Sequence, residues 1–391
     1  MRVLIATDTY PPDVSGSSFF AHRLAVGLAG RGHDVHVVCA SETGPRKIVR
    51  DSGVCLHRLR SVPLLIHPSV RFVPPPGVPA LLRRLVATMR PDVVHTQDHF
   101  TIGRAAVRAA KRWNVPVVAT NHFMPDNLLP YLPRHLHRPV ADVAWRDFRR
   151  VYDRADHVTT PTRAAANLLA ANGFDGSVEP VSCGVDTTRF SPDGAPPGVH
   201  RRKLGLPDVP TVLYVGRLDA EKRLDELIRA LPRVSVGDVQ LVLAGTGTRR
   251  AELERLAARC GVARRVRFLG FVPDDRLPSV YRAADVFAIP GVAELQSIAT
   301  LEAMACALPV VAANAVALPH LVSHGDNGYL VEPGDVAGLG AALDAILTSA
   351  DLRRRMGGLS RAIALTHDEH RTLARFEEIY HAVARGRAGR G

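Results

Sequence analysis

Short apolar segments alternate with amphipathic segments along the chain, and this alternation constrains the fold more than any other feature. The apolar segments are rich in Val, Leu, Ile and Ala and end at polar or glycine residues, as buried strands do. The amphipathic segments between them have the spacing of surface helices. This pattern predicts an α/β fold built on doubly wound parallel sheets. The clearest strand segments are residues 2–7, 34–40, 92–96, 211–216 and 286–289.

A chain of 391 residues is too long for one hydrophobic core, so two domains are expected. The alternation is interrupted at residues 173–198, where glycine, proline and aspartate are concentrated, and then restarts. We place the boundary there, with one domain over 1–190 and the other over 191–367. Ligands of doubly wound sheets bind at the carboxyl ends of the strands, so the two domains are expected to face a central cleft.

The composition argues against several classes of protein. Five cysteines are scattered without a CxxC pair, which disfavours a disulfide framework or a zinc site and favours a reducing compartment. No segment is apolar enough to span a membrane and the chain starts directly with a strand, so we expect a cytoplasmic protein. Nucleic acid is not an expected partner, because only 5% of residues are aromatic and no reader motif is present.

The net charge of +12 comes mainly from the first half of the chain. Only four of the fifty cationic residues are lysines, a bias that a GC-rich genome also produces. A basic half nevertheless suits an anionic surface such as lipid head groups, so peripheral contact with the inner face of a membrane is expected.

Two carboxylates, Glu294 and Glu302, stand on an otherwise uncharged segment after the apolar run 286–289. The sequence predicts a helix over 294–304, on which both carboxylates lie near one line. Glu294 would fall at the helix start, where backbone N–H groups can bind an anion. The alternatives are a first-turn charge that favours the helix dipole and a solvated face, and the apolar neighbours of Glu302 disfavour the second.

The segment Gly216-Arg217-Leu-Asp-Ala-Glu-Lys222 follows a predicted strand and opens a predicted helix. Gly216 permits close backbone approach, while Arg217 as a planar fork and Lys222 as a point charge suit a diphosphate. A solvated helix start is the alternative, but the helix dipole disfavours cations there. Gly16 and Gly245 follow other strands and are weaker candidates for anion-binding turns, since neither belongs to a GxGxxG or GxxxxGK[ST] motif.

His122 comes directly after a predicted strand and has two interpretations, a polar strand end or a site residue. His95 and His99 mark another polar strand end. A metal ion shared by the three histidines is conceivable, but their spacing matches no zinc pattern, and we expect no metal site.

The order of these motifs resembles the retaining nucleotide-sugar glycosyltransferases of the GT-B fold, family 4. The matching features are a glycine loop after the first strand, a histidine after a mid-domain strand, Gly-Arg-x4-Lys, and Glu-x7-Glu. The resemblance implies two Rossmann-like domains, the first holding mainly the acceptor and the second mainly the donor nucleotide. It also implies a final helix, here 368–387, that packs back on the first domain.

The same resemblance implies a metal-independent enzyme without a cofactor, whose donor co-substrate is a UDP- or GDP-sugar. Arg217 and Lys222 would hold the diphosphate and stabilise the leaving group. Glu302 would bind the ribose hydroxyls of the nucleotide.

The donor sugar is assigned by resemblance to the remaining motif residues. Glu294, with the backbone amides at 296–298, would contact the sugar and phosphate. Gly16 would let the first loop approach the phosphates, and His122 would touch the sugar. The implied catalytic residues are Arg217, Lys222, Glu294 and His122, and the implied donor-binding residues are Gly16, Gly216, Gly245, Gln296, Ser297, Ile298 and Glu302.

The chain departs from the family pattern at two points near the expected sugar. Ser15 precedes Gly16 in place of a second glycine, and Glu294 is followed by Leu-Gln-Ser in place of Gly-Phe-Gly. Those glycine amides surround the sugar in the family, so the pattern leaves the hexose open.

The apolar segment 122–133 lies where the resemblance places the acceptor, and the proline-rich loop 64–79 is a second apolar segment. With nearby arginine clusters they resemble members that glycosylate membrane lipids such as diacylglycerol or phosphatidylinositol. A soluble small molecule or a polysaccharide is the alternative acceptor. A sugar-nucleotide 2-epimerase shares the fold and is less favoured. The arginines concerned are Arg83, Arg84, Arg146, Arg149 and Arg150.

Overall fold

A computed structural model of the chain describes residues 1–13, 15–64, 67–124 and 133–388. It divides into two compact units, Met1–Ser182 with Thr372–Gly391, and Cys183–Arg371. The change of unit precedes the expected boundary at 190, because Val185 already pairs with the far end of the second unit. Its backbone N–H donates to the His367 carbonyl oxygen at 2.9 Å, and its own carbonyl accepts from the Glu369 N–H at 3.0 Å.

Unit 1 contains most of the first half of the chain. Its strands are β1 (Arg2–Ala6), β2 (Asp34–Ala40), β3 (Lys47–Asp51), β4 (Val54–Leu59), β5 (Val62–Leu64), β6 (His67–Phe72), β7 (Val93–Thr96), β8 (Val117–Thr120), β9 (His157–Thr160) and β10 (Val178–Pro180). Its helices before the change of unit are α1 (Gly16–Gly30), α2 (Val78–Met89), α3 (Thr101–Arg112), α4 (His137–Tyr152) and α5 (Arg163–Ala171).

Within the described residues, unit 1 has an eight-stranded sheet in the order β10-β9-β8-β7-β1-β2-β4-β3. All neighbouring strands are parallel except the edge strand β3, which runs antiparallel to β4. Helices cover the central strands, so β1 and β7 carry apolar runs that bury Leu4, Ile5, Val93 and Val94 completely. The strand order reverses between β1 and β7, which places a ligand crevice at their carboxyl ends.

The expectation of a loop over 64–79 is wrong for most of its described part. Strands β5 and β6 form a two-stranded antiparallel hairpin, with Val62 opposite Phe72. Val62 is 40% exposed and Phe72 is 39% exposed. The prolines that suggested a loop are compatible with strands here because an isolated hairpin has edges on both sides.

Unit 2 begins with α6 (Pro197–Lys203) and then alternates strand and helix. Its strands are β11 (Thr211–Val215), β12 (Gln240–Ala244), β13 (Val266–Gly270), β14 (Val286–Ile289), β15 (Val310–Ala313) and β16 (Gly328–Val331). Its other helices are α7 (Leu224–Ala230), α8 (Arg250–Arg259), α9 (Leu277–Arg282), α10 (Ile298–Ala305), α11 (Val336–Thr348) and α12 (Ala350–Thr366).

The sheet of unit 2 has the order β13-β12-β11-β14-β15-β16 in the described residues, and all its strand pairs are parallel. Counted from β11, this is the order 3-2-1-4-5-6 of a Rossmann fold. The order reverses between β11 and β14, which are direct neighbours. The carboxyl ends of these two strands are therefore where a nucleotide is expected to bind.

The last helix, α13 (Glu369–Ala388), belongs to unit 1 from Thr372 onward. Its apolar face is buried on that unit. Leu373 lies against Gly27 of α1, where an added Cβ would stand 2.6 Å from the leucine side chain. Phe376 packs on Phe20, with ring centroids 5.8 Å apart. Distant parts of the sequence therefore share one core.

Candidate active site

The loops after β11 and β14 lie side by side at the point where the strand order of unit 2 reverses. Val292 N–H donates to the Glu221 carbonyl oxygen at 3.3 Å, which joins the two loops through their backbones. A Cβ added at Gly291 would lie 3.5 Å from Lys222. The predicted cation segment and the predicted carboxylate segment are thus neighbours in space.

The helix expected over 294–304 begins later than predicted. Ser297 is its N-cap, and the serine side chain accepts from the Thr300 N–H, so α10 starts at Ile298. Glu294 lies in the preceding loop, which makes the prediction of two carboxylates along one helical line wrong. The loop is fixed from outside the helix, since the Gln296 side-chain oxygen accepts from the Cys183 N–H at 2.7 Å. The side-chain oxygen of Gln296 is therefore already engaged within unit 2.

Lys222 and Glu294 form an ion pair across the two loops. The Lys222 Nζ donates to Glu294 Oε1 at 2.5 Å, and both side chains are mostly buried, 16% and 13% exposed. A pair this sheltered from solvent is screened less than a surface pair. The ammonium has three donors, and a ligand oxygen can join the carboxylate around it.

Arg217 is held by two carboxylates of its own loop. One terminal nitrogen donates to Asp219 Oδ2 and the other to Glu221 Oε1, both at 2.6 Å. Asp219 is buried, and its second oxygen accepts from the backbone N–H and the hydroxyl of Thr248 at 2.9 Å. The carboxylate therefore fixes the guanidinium and the loop after β12 at the same time. The sequence interpretation missed Asp219, although it stands two residues after Arg217 in the motif.

Gly245 is required by a close approach to the backbone of Gly216, and an added Cβ at Gly216 would lie 2.7 Å from the Tyr214 hydroxyl oxygen. An added Cβ at Gly245 would lie 1.9 Å from the Gly216 carbonyl oxygen, and both glycines have positive φ, +147° and +148°. Below them, burial raises the pKa of Tyr214, as do the carboxylates of Glu294 and Glu221. The phenol stays protonated and donates to the Arg217 carbonyl oxygen at 2.9 Å. The loop that carries the two cations is thus supported from beneath.

Glu302 lies on α10 and is buried, with 4% of its surface exposed. Its Oε2 accepts from the Tyr281 hydroxyl at 2.8 Å. Tyr281 comes from α9, so two helices orient this carboxylate. The tyrosine gave no signal in the sequence because its partner lies on a different helix.

Gly16 is the first residue of α1 in unit 1. The Ser15 hydroxyl caps the helix by accepting from the Ser18 N–H at 3.2 Å, and Ser17 lies 3.1 Å from it, oxygen to oxygen. Gly16 itself is exposed. The helix starts three residues earlier than expected from the sequence, because the serine hydroxyl provides the cap that an apolar residue cannot.

His122 follows β8 in unit 1 and is partly buried. Burial lowers its pKa to about 3, so the imidazole is neutral at physiological pH. Its Nε2 donates to Gln97 Oε1 at 2.9 Å, and the Gln97 amide nitrogen lies 3.2 Å from His95 Nε2. The amide bridges the two histidines, which is a different arrangement from ligands around a common metal. The apolar segment after His122 is described only to residue 124 and at 133, so residues 125–132 lie outside the described part.

His95 connects this network to α13. Its Nδ1 lies 2.7 Å from the Tyr380 hydroxyl oxygen, and its Nε2 lies 2.6 Å from Thr120 Oγ1. The last helix thus reaches His122 through Tyr380, His95 and Gln97. Motifs could not predict this connection, because His95 and Tyr380 are 285 residues apart in the sequence.

His95 makes the stability of the protein depend on pH. Burial lowers its pKa from 6.5 to about 3 in the folded protein. The unfolded chain therefore binds a proton below pH 6.5 that the folded chain does not, so stability is complete above 6.5 and is lost as pH falls toward 3. At pH 5 the loss from this group is about 2 kcal/mol.

Urea unfolding at pH 7.5 and pH 5 measures this effect. We expect His95→Gln to show a smaller loss of stability between the two pH values than the wild type. The exposed His381 on α13 provides the control, and His381→Gln should keep the wild-type difference. Equal differences in wild type and His95→Gln would contradict the assignment.

Two further carboxylates, Asp8 and Asp98, lie at the carboxyl ends of β1 and β7. Asp98 Oδ2 accepts from the Asp8 N–H at 2.7 Å, and Asp8 Oδ2 accepts from the Ile102 N–H at 3.0 Å. Burial raises the pKa of Asp8 strongly, and the charge of Asp98 adds to this. The pair lies at the strand-order reversal of unit 1. In the sequence, these aspartates are marked only by their positions shortly after two strands.

Two Rossmann-like units, with cations and carboxylates gathered at the strand-order reversal of the second, define a glycosyltransferase of the GT-B class. Residues 14–189 match the model of glycosyltransferase family 4, and residues 199–361 match that of the glycosyl transferases group 1. The chain belongs to the family 4 glycosyltransferases, whose members transfer a sugar from a nucleotide sugar to an acceptor.

Known relatives agree with this membership. A GDP-mannose-dependent alpha-(1-6)-phosphatidylinositol monomannoside mannosyltransferase of Mycobacterium tuberculosis is 31% identical and covers 92% of each chain. A D-inositol 3-phosphate glycosyltransferase of Xylanimonas cellulosilytica is 34% identical over 76% of this chain and 74% of its own. Among solved structures, a sucrose-phosphate synthase from Thermosynechococcus elongatus has a TM-score of 0.82 at 22% identity, over 98% and 99% of the two chains.

Proposed function

We propose that this chain transfers mannose from GDP-mannose, with retention of configuration and without a metal ion, to a hydroxyl of an inositol-containing lipid. The observation that carries the proposal is the Lys222–Glu294 ion pair beside Arg217 at the strand-order reversal of unit 2. The relatives support the choice of substrates. The Mycobacterium relative is named for GDP-mannose and a phosphatidylinositol mannoside, and the Xylanimonas relative for an inositol phosphate.

The diphosphate of the donor is proposed to bind Arg217, Lys222 and the first amides of α10. Cleavage of the bond between the sugar and the diphosphate leaves negative charge on the phosphate oxygens. Fixed cations and a helix N-terminus stabilise that charge more than the starting donor. Because these groups supply the positive charge, the reaction needs no divalent metal.

The carboxylates are proposed to bind hydroxyl groups of the donor. Glu302, oriented by Tyr281, would accept from the ribose. When phosphate oxygens of the donor bind the Lys222 ammonium, Glu294 would lose part of its contact with Lys222. It would then accept a hydrogen bond from a sugar hydroxyl. Gly216 and Gly245 would serve the nucleotide site by letting the loops after β11 and β12 pack closely, since an added Cβ at Gly245 would meet the Gly216 carbonyl oxygen and one at Gly216 the Tyr214 hydroxyl.

The proposed roles in unit 1 are those of Gly16 and His122. Gly16 offers an exposed helix start without a side chain, which suits close approach of a phosphate. The neutral imidazole of His122 suits a sugar hydroxyl, because its Nε2 is oriented by Gln97.

Retention is proposed to follow from attack on the same face as the departing diphosphate. The acceptor oxygen forms a bond to the anomeric carbon as the bond to the phosphate oxygen breaks, and a phosphate oxygen takes the acceptor proton. The alpha linkage in the name of the Mycobacterium relative supports this stereochemistry, since the mannose of GDP-mannose is itself alpha-linked.

A membrane-bound acceptor is supported by the surface of unit 1. On α4, Val143 is 60% exposed, and the exposed Arg146 and Arg150 follow on the same face. On α2, Arg83 and Arg84 are exposed. Exposed apolar and cationic side chains together favour peripheral contact with anionic lipid, and we propose the inner face of the membrane as the location. Among the described residues, no helix combines the length and apolar character that a membrane crossing needs.

A transfer assay tests the donor and the acceptor together. Radiolabelled GDP-mannose, UDP-glucose and UDP-galactose are each incubated with anionic vesicles that contain phosphatidylinositol or its monomannoside. We expect label in the lipid fraction from GDP-mannose only, insensitivity to EDTA, release of the label by an α-mannosidase, and lower rates at high salt because screening weakens contact with the vesicle.

Three results would contradict parts of the proposal. Transfer from a UDP-sugar alone would reject the donor, and transfer to soluble inositol phosphate but not to vesicles would reject the lipid acceptor. Conversion of the nucleotide sugar in the absence of any acceptor would instead indicate an epimerase. Each reaction is run with the Lys203→Met variant as well, since Lys203 is an exposed lysine of the same unit and should not affect transfer.

A further inference from the structure

Three side chains with metal-binding atoms converge on one face of the unit 1 sheet. His36 on β2 lies directly opposite Cys55 on the parallel strand β4, and His57 follows two residues later on β4. Since side chains alternate across a strand, residues 55 and 57 point to the same face as residue 36. The cluster of His36, Cys55 and His57 is therefore fixed by strand register and does not depend on a loop.

The distances within the cluster are close to those of a metal site. His36 Nδ1 lies 2.8 Å from His57 Nε2, and His57 Nε2 lies 3.6 Å from Cys55 Sγ. All three ligand atoms lie within 4.8 Å of one another. Around a tetrahedral zinc ion such atoms stand about 3.3 Å apart for two nitrogens and about 3.6 Å for nitrogen and sulfur. The nitrogen–sulfur pair already has this separation, and the two imidazoles need to part by about half an ångström.

A carboxylate outside the cluster orients one of the imidazoles. Asp34 Oδ1 lies 3.4 Å from His36 Nε2, the ring nitrogen that points away from His57. Histidine ligands of metal ions commonly donate their second ring N–H to a carboxylate, which fixes the tautomer. Here that arrangement leaves the Nδ1 lone pair of His36 directed at the centre of the cluster.

Metal binding requires a protonation change at the cluster. The thiolate is the form of cysteine that binds a metal, so the Cys55 thiol must give up its proton when a metal binds. The charges of Arg2, Arg46 and Arg50 oppose a cation at the cluster, while the charge of Asp34 favours it.

We propose that His36, Cys55 and His57 bind a divalent transition-metal ion of the zinc type, with solvent in the fourth position. On binding, the Cys55 S–H loses its proton to solvent. The proton that His57 Nε2 donates to His36 Nδ1 moves through solvent to His57 Nδ1, and the thiolate, His36 Nδ1 and His57 Nε2 become ligands. The ion links β2 to β4 near their amino-terminal ends. The proposed transfer residues of unit 1 lie at the carboxyl ends of its strands, so the ion takes no part in transfer and the site stands independently of the proposed function.

The sequence contains a pattern that indicates this site, although it has no CxxC pair. Cys55-x-His57 places two ligands on one face of a strand, and His36 on a neighbouring strand supplies the third. A search for CxxC spacing misses it because that spacing describes ligands on turns.

Cobalt provides the test, because a thiolate bound to Co²⁺ gives a charge-transfer band in the near ultraviolet. Tag-free protein, treated with a chelator and kept reduced, is titrated with Co²⁺ and then with Zn²⁺. We expect the band to saturate at one equivalent of Co²⁺ and to disappear on addition of Zn²⁺. A wild-type protein without the band would overturn the proposal.

Variants assign the ligands. We expect Cys55→Ser to remove the band. His57→Gln removes a ligand, so we expect it to weaken Co²⁺ binding by at least about 10–100-fold, the cost of losing a residue that only orients a ligand. Asp34→Asn should weaken it within that same range, about 10–100-fold, while keeping the band. Cys260→Ser removes a cysteine with no part in the cluster and should leave the titration unchanged.

A band that survives Cys55→Ser, or one lost in Cys260→Ser, would show that the metal binds elsewhere. Should Cys55→Ser misfold, as judged by circular dichroism, His57→Gln decides alone, and unchanged Co²⁺ affinity in it would overturn the proposal.

Discussion

Replacing Lys222 by methionine is expected to lower kcat for transfer about 10²–10³-fold, the usual cost of one preorganised group that stabilises developing negative charge. The Lys222 ammonium lies 2.5 Å from Glu294 Oε1, and the lysine side chain is only 16% exposed. Its attraction for a phosphate oxygen is therefore stronger than that of a surface lysine. Methionine keeps the length of the side chain and removes only the charge and the donors.

The loss is expected in kcat more than in KM. The negative charge on the diphosphate grows as the bond to the sugar breaks, so the lysine contributes more to the transition state than to donor binding. Steady-state kinetics with varied GDP-mannose separate the two parameters. Lys203→Met, in the exposed part of α6, should match the wild type in both. A Lys222→Met enzyme with kcat within threefold of the wild type would remove Lys222 from the proposed machinery.

A double-mutant cycle with Glu294→Gln tests the ion pair itself. If Lys222 and Glu294 act as one unit, the double variant should lose much less than the product of the two single losses, as coupled active-site residues do. Independent, multiplicative losses would mean that the contact between them has no role in transfer. Urea unfolding of each variant shows whether a loss of activity is a loss of fold.

The sequence located the cation and carboxylate segments because both follow strand ends of a doubly wound sheet. Apolar runs such as 211–215 and 286–289 are easily read, and ligands of such sheets bind just beyond them. The expectation that Arg217, Lys222 and Glu294 share one site is consistent with their placement around the strand-order reversal. Their roles toward a donor stay predictions.

The pairing of these residues could not be predicted, since it depends on which strands are neighbours. Lys222 and Glu294 are far apart in sequence and meet because β11 pairs directly with β14. The start of α10 was misjudged for a local reason. Ser297 competes with Glu294 as the helix start, and its hydroxyl makes the capping bond that decides the outcome.

Edge elements were also beyond the sequence pattern. β3 has the sequence Lys-Ile-Val-Arg-Asp, which is short, charged at its ends and mostly exposed. It lacks the buried run by which the central strands are recognised, and it forms because β4 offers it a free edge. The same limitation applies to the hairpin of β5 and β6, whose prolines suggested a loop.

Replacing Gly245 by alanine is expected to destabilise the protein by at least 3 kcal/mol, at the upper end of single substitutions, since it combines backbone strain with a steric clash. The added Cβ would lie 1.9 Å from the Gly216 carbonyl oxygen, and φ is +147°. The two loops cannot move apart freely, because the Gly216 N–H donates to the Ala244 carbonyl at 3.0 Å and the Leu218 N–H to the Thr246 carbonyl at 2.9 Å.

Gly358→Ala provides a control of opposite sign. Gly358 is exposed on α12, and an added Cβ there would meet nothing within 4 Å. Alanine should stabilise the helix by about 0.5–1 kcal/mol, because it lowers the entropy of the unfolded chain. Urea midpoints of the two variants should therefore shift in opposite directions from the wild type. A Gly245→Ala protein as stable as the wild type would mean that the two loops are not in contact at this point. The loop after β12 would then not hold the segment that carries Arg217 and Lys222 at the strand-order reversal of unit 2.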